Sequence, residues 1–136
     1  MIKGGDDIEA DVFLLVKNSA IATFIKGTVY REGKRPLNAT TEDAVVTFKT
    51  GLDGQFQDGE IVLNIYVPNI KGSSGLFEKD ITRCRLIGNK MMESINTFTS
   101  SEYHIRLLNI PQSFKEQSIE QYYVNARIRF KRNTIN

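Results

Sequence analysis

Few side chains in this 136-residue chain could do chemistry, and none has the company it would need. His104 is the single histidine and Cys84 the single cysteine, so no second donor of either kind can complete a metal site. A catalytic dyad would need Cys84 off the apolar stripe of its helix; on that stripe it is an inert core thiol. Asp53 and Asp58 in "DGQFQDGE" suggest a calcium loop, but closely spaced oxygen ligands and a distal bidentate glutamate are missing. Asp-Gly pairs are ordinary turn chemistry, with aspartate capping its own turn and glycine supplying positive φ. "KGSSG" (71–75) lacks the Gly-Lys-Ser/Thr ending of a phosphate loop. No catalytic, cofactor or metal residue is assigned, and no enzyme activity is expected.

The basic residues are the next candidates. "RIRFKR" (127–132) holds four bases and no acid, and Arg127, Arg129 and Lys131 fall on one face of a strand. Nucleic-acid binding would use such a stripe, but interleaved aromatics over several strands are missing around it, Tyr123 apart. A solvated face or an intersubunit salt-bridge surface is the ordinary alternative. "REGKRP" (31–36) is a second short basic patch on a loop. The formal charge of +2 is too small to imply nucleic acid by itself.

Composition places these residues in an ordinary globular chain, 40% hydrophobic and 25% charged, of a length that fits one domain, 1–136. No apolar run approaches the roughly 20 residues of a membrane helix. The start, "MIKGGDDIEAD", turns acidic where a secretory signal needs an apolar stretch, so a reducing cytosol is the expected site of synthesis.

Periodicity supplies the elements. Asp6 or Asp7 caps a helix with Ile8, Val12, Leu15, Ser19 and Ala22 on its apolar stripe, breaking near Asn18-Ser19 and stopping at Gly27. "TVY" is a short strand, and further strands are expected at about 43–50 and 60–67. In the latter Ile61, Leu63, Ile65 and Val67 share one face. "NIKGSSGLFEKD" is a loop. A long helix follows, with Phe77, Ile81, Cys84, Gly88, Met91, Ile95 and Phe98 on its stripe and Arg83, Arg85, Asn89, Lys90 and Glu93 facing away. Gly88 there predicts close approach to the sheet. Strands at about 102–109 and 121–132 close the chain, the last with Tyr122, Val124, Ala126, Ile128 and Phe130 inward. The order α-β-β-β-α-β-β predicts an α+β fold, a mainly antiparallel sheet with two helices on one face. The segment 51–59 between two alternating strands predicts a protruding two-stranded hairpin, marginal alone and ordered against a partner.

This layout resembles the tail terminator (tail completion, head-tail joining) proteins of long-tailed bacteriophages and prophages. The resemblance covers about residues 7 to 132 and rests on Gly27-Thr28-Val29-Tyr30, Pro36, the strand "DAVVTFKTG", and "NIYVP" before the long helix. The loop "NATTED" (38–43) departs from it, being more polar than the tight turn expected there. The resemblance implies a curved antiparallel sheet backed by two helices and a homohexameric ring. Such a ring caps the tail tube, stops its polymerisation and meets the head-tail connector, in a virion assembled in the host cytoplasm. Asp53, Gln55, Phe56, Gln57 and Asp58 would then form a partner-binding arm with Phe56 as anchor. Arg127, Arg129 and Lys131 would form an intersubunit or lumen face. No cofactor, membrane or sequence-specific nucleic acid is implied. Another neck component, a nucleic-acid-binding module using the basic strand, and a small enzyme remain the alternatives.

Overall fold

Asn18-Ser19 splits the first periodic segment in two. In a computed structural model, which describes residues 1–54 and 56–134, α1 spans Gly5–Lys17 and α2 spans Ala20–Phe24. The Ser19 hydroxyl accepts from the Ile21 N–H and starts α2. The cap of α1 is Gly4 rather than Asp6 or Asp7, which sit in its first turn, where carboxylates complement the helix dipole. Gly27 does not stop the helix, since α2 ends before extended Ile25. Instead, a Cβ on Gly27 would lie 2.2 Å from the Asp43 carboxylate and 2.4 Å from the Glu42 carbonyl. That position needs a bare backbone so that residues 42–43 can approach.

The strands are β1 (Val29–Arg31), β2 (Ala44–Leu52), β3 (Phe56–Pro68), β4 (Ile70–Lys71), β5 (Phe77–Glu78), β6 (Tyr103–Leu107), β7 (Gln112–Lys115) and β8 (Gln121–Asn133). The main sheet runs β1-β2-β3-β8-β6, with β7 also on β8, and only β1–β2 is parallel. The fold is thus α+β, as expected. Two small features inside expected loops are new: the β4–β5 pair, and β7 after Pro111. β6 and β7 follow one another along the same edge of β8. Residues 108–111 stand opposite only 126 and 127 where the register skips.

The expected alternation holds. Ile61, Leu63, Ile65 and Val67 are buried with Val124, Ala126, Ile128 and Phe130. They share one core with Ile8, Val12, Val16 and Ile21 of the first two helices, and with Cys84, Ile87, Met91 and Ile95. All helices therefore cover one face of the sheet and leave the other open. The long helix, α3 (Ile81–Ser94), begins later than its stripe predicted. Asp80 caps it by accepting from the Arg83 N–H at 3.0 Å, which leaves Phe77 in β5 and Ile81, 70% exposed, on the outside. Gly88 is buried without unusual closeness: a Cβ there would meet Pro111 and Val124 at ordinary contact distances of 3.8 and 3.9 Å.

Candidate functional site

The segment 50–60 is built differently from an isolated arm. β3 pairs with β8 along its whole length, from Pro68↔Gln121 to Phe56↔Asn133. Three strands, not two, reach the tip between Leu52 and Phe56, and Gln55 lies outside the described residues. Gly51 and Gly59 serve close approach. A Cβ on Gly59 would stand 2.1 Å from the Thr50 carbonyl and 2.9 Å from the Phe130 ring. Asp58 is not a turn-former; it lies in β3 and accepts from Arg129 at 2.5 and 3.0 Å. Gln57 is 5% exposed and holds the chain's start: its amide donates to the Lys3 carbonyl and its oxygen accepts from the Lys3 N–H. The Gln57 assignment as a docking residue is therefore corrected. Asp53, Leu52 and Phe56 remain exposed at the tip.

Behind the tip lies a polar cluster that joins distant parts of the chain. Arg132, 6% exposed, donates to Glu102, to the Met1 carbonyl at 2.6 Å and to Gln57 at 2.8 Å. Lys3 pairs with Asp11 at 2.7 Å and Glu102 at 2.9 Å, and the Tyr103 hydroxyl donates to Asp11 at 2.6 Å. Hydrogen bonds from Lys3 and Arg132 hold Glu102 below the usual carboxylate range, despite partial burial. At Asp11 burial pushes the pKa up, but the hydrogen bonds from Lys3 and Tyr103 outweigh it and the net shift is down. Burial, then the bond to Asp11, raises the Tyr103 phenol.

The open face of the sheet carries the expected basic stripe in a ladder. Arg127 grips Glu60 through two bonds of 2.8 and 2.9 Å, Arg129 grips Asp58, and the Lys131 ammonium sits 4.4 Å over the Phe56 ring. Each base reaches past its directly opposite residue to the next one toward the tip, the diagonal contact that twisted antiparallel strands allow. The Arg129 hydrogen bond to Asp58 and the Arg127 hydrogen bond to Glu60 lower both carboxyl pKa values. The stripe is thus partly neutralised by β3, from carboxylates 67 and 71 residues away in the chain.

Four acids, Asp11, Asp58, Glu60 and Glu102, have folded pKa values below their unfolded ones. Their contribution is therefore complete above the unfolded values of about 4 and is lost as pH falls through the lower folded values. The urea midpoint is expected to stay level from pH 7 to about 5 and to drop steeply below about pH 4. A midpoint that holds at pH 3 would contradict this.

Two other networks were not apparent from the sequence. Arg35, in the loop read as a basic patch, donates to buried Asp43 at 3.0 Å, to the Thr41 carbonyl and to Gln121, and stacks 4.2 Å over Tyr66. Arg83, expected to face away from the sheet, instead grips buried Glu42 with bonds of 2.8 and 2.7 Å and lies over the Phe24 ring. The bond to Glu42 raises its pKa further. Arg85, Asn89 and Glu93 do face solvent.

Cys84 is buried, and burial pushes its thiol up, away from the reactive thiolate. His104 is exposed on the open face opposite Lys131. Among the described residues no group of three or more His, Cys, Asp or Glu could hold a metal, and no helix is long and apolar enough to cross a membrane.

The remaining surface feature is partly apolar. A groove between α3 and β7 has Ile81, Met92 and Pro111 on its apolar side and Lys79, Arg85 and Asn89 at its polar rim, and exposed Phe77 and Ile110 adjoin it in the chain. Ile81, Arg85, Gly88 and Met92 form a second stripe on α3, at four-three spacing, beside the one facing the core. β7 pairs only with β8, so its other edge has no strand partner among the described residues. The exposed side of this stripe was masked in the sequence because Ile81 fits both stripes. The chain matches no protein-family model and none of the curated proteins compared with it.

Proposed function

We propose that this protein is a structural component of a phage or prophage tail. It forms a ring of copies, six by the resemblance, that caps the tail tube, stops its polymerisation and joins it to the head-tail connector. It acts in the virion after assembly in the host cytoplasm, and no catalytic role is part of the reading. The observation that carries it is the groove of Ile81, Met92 and Pro111 beside the open edge of β7. An apolar patch next to unpaired backbone is costly to leave in water and suits a protein partner.

The geometry favours a head-to-tail contact. The tip residues Leu52 and Phe56 lie near the end of β8 at Asn133, whereas β7 pairs with β8 at 122–125. The two apolar surfaces are thus at opposite ends of one strand. A tip seated in the neighbour's groove is a heterologous contact, and such contacts make rings where the rotation closes.

Mass measurement tests this. Light scattering on the purified chain, alone and with tail-tube protein, is expected to give a multiple of 15.4 kDa, six-fold for the ring. Ile81→Asp with Met92→Asp is expected to leave a folded monomer that no longer assembles or caps tubes. A parent that stays monomeric in both conditions, or a double variant that assembles as well as the parent, overturns the reading.

A further inference from the structure

The open face of the sheet carries aromatics that no single strand reveals. Phe114 of β7, Tyr123 of β8 and Tyr66 of β3 stand side by side, with Phe114–Tyr123 and Tyr66–Tyr123 ring centroids each 5.7 Å apart. Arg35 covers Tyr66, which leaves Phe114 and Tyr123 as the accessible pair. Farther along the same face, His104 stands opposite Lys131 and Arg106 opposite Arg129, and the four line one shallow hollow.

That hollow opposes folding. Like charges directly across neighbouring strands destabilise a sheet. Asp58 and Glu60 are the carboxylates of this region, and Arg129 and Arg127 occupy them. Arg106 makes no ion pair among the described residues, and Lys131 rests on a ring rather than a carboxylate. Glu32 and Glu116 lie near Tyr66, at the far end of the face. An unbalanced positive hollow and a stacking pair therefore share one surface, on the side of the sheet free of helices.

We propose that this face binds single-stranded nucleic acid without sequence preference. Arg106, Lys131 and His104 take backbone phosphates, and Phe114 and Tyr123 stack bases. A polyphosphate offsets the like-charge cost, and aromatic platforms accept any base because every base has a π-face. Stacking requires unpaired bases, which selects the single strand over the duplex. Tyr123 and Lys131 are eight residues apart on β8, about 27 Å at about 3.4 Å per residue, enough for a site of several nucleotides. This goes beyond the ring reading and stands whether or not a ring forms.

The test is fluorescence anisotropy with a labelled oligothymidylate, with duplex DNA and anionic phosphatidylserine vesicles as competitors. The single strand is expected to bind, and its affinity to fall about tenfold between about 50 and 200 mM salt, as for two or three phosphates neutralised. Arg106→Glu with Lys131→Glu is expected to lose at least about tenfold, and Phe114→Ala with Tyr123→Ala at least about fivefold. Lys17→Glu with Lys26→Glu changes the same charge on the helical side and is expected to lose less than about threefold. Circular dichroism confirms that each variant is folded. The proposal is overturned if the parent does not bind at about 50 mM salt or if the two charge-reversal variants lose affinity equally. It is also overturned if duplex or vesicles displace the strand more readily than unlabelled single strand does.

Discussion

Leu63→Ala is expected to lower the unfolding free energy by about 2–5 kcal/mol. Leu63 is fully buried in the central strand of the sheet, opposite Val46 on one side and Ala126 on the other. It belongs to the same core as Met91 and Ile95 of the helical layer, both fully buried. Removing its branched end leaves a cavity between two layers that are each pinned by strand pairing or helix packing, so collapse around it is limited. Urea denaturation measures the effect as a lower midpoint at unchanged slope. A loss below about 1 kcal/mol would mean that the central position of this strand is wrong.

Asp43→Ala is expected to cost as much, about 3–5 kcal/mol, through electrostatics rather than volume. Asp43 is wholly buried and accepts from the Thr28 N–H at 2.8 Å, the Thr41 hydroxyl at 2.7 Å and Arg35 at 3.0 Å. Without it, Arg35, whose side chain is 9% exposed, is left as a buried cation facing only carbonyls, Gln121 and the Tyr66 ring. The backbone donor at Thr28 loses its acceptor too. Arg35→Met in the Asp43→Ala background is therefore expected to recover part of the loss, because it removes the stranded charge. Strict additivity of the two substitutions would show that the pair is not coupled.

Glu9 illustrates why such polar positions escape a sequence pattern. It lies in α1 between the stripe residues Ile8 and Val12, is not part of the apolar period, and is nonetheless buried. Its carboxylate takes Arg31 and the Phe48 N–H, at the point where the β2–β3 register shifts between Phe48 and Thr50. The buried acid satisfies a backbone donor at the bulge, and nothing local to either announces it. Arg83 and Arg35 are of the same kind: long charged side chains whose partners lie 41 and 8 residues away.

Several features were determined by the sequence alone. Alternation in 61–67 and 124–130 set which side chains face the core, because side chains on a strand point alternately to either face whatever its partner is. The break at Asn18-Ser19 and the end of β3 at Pro68 were likewise local, fixed by a serine cap and a missing backbone donor. Tertiary structure decided the rest. Only the pairing of β3 with β8, whose partners are 53 to 77 residues apart, turned a supposed free arm into a three-stranded tip. The same pairing gave Arg127 and Arg129 their carboxylates and buried Gln57 against Arg132. Which helical stripe faces the core was settled by the Asp80 cap and by the packing of Cys84, Ile87 and Met91, not by periodicity, since Ile81 fits the predicted stripe and is exposed. Local sequence fixes the direction in which a side chain points, but what it meets there depends on which distant strand is laid beside it.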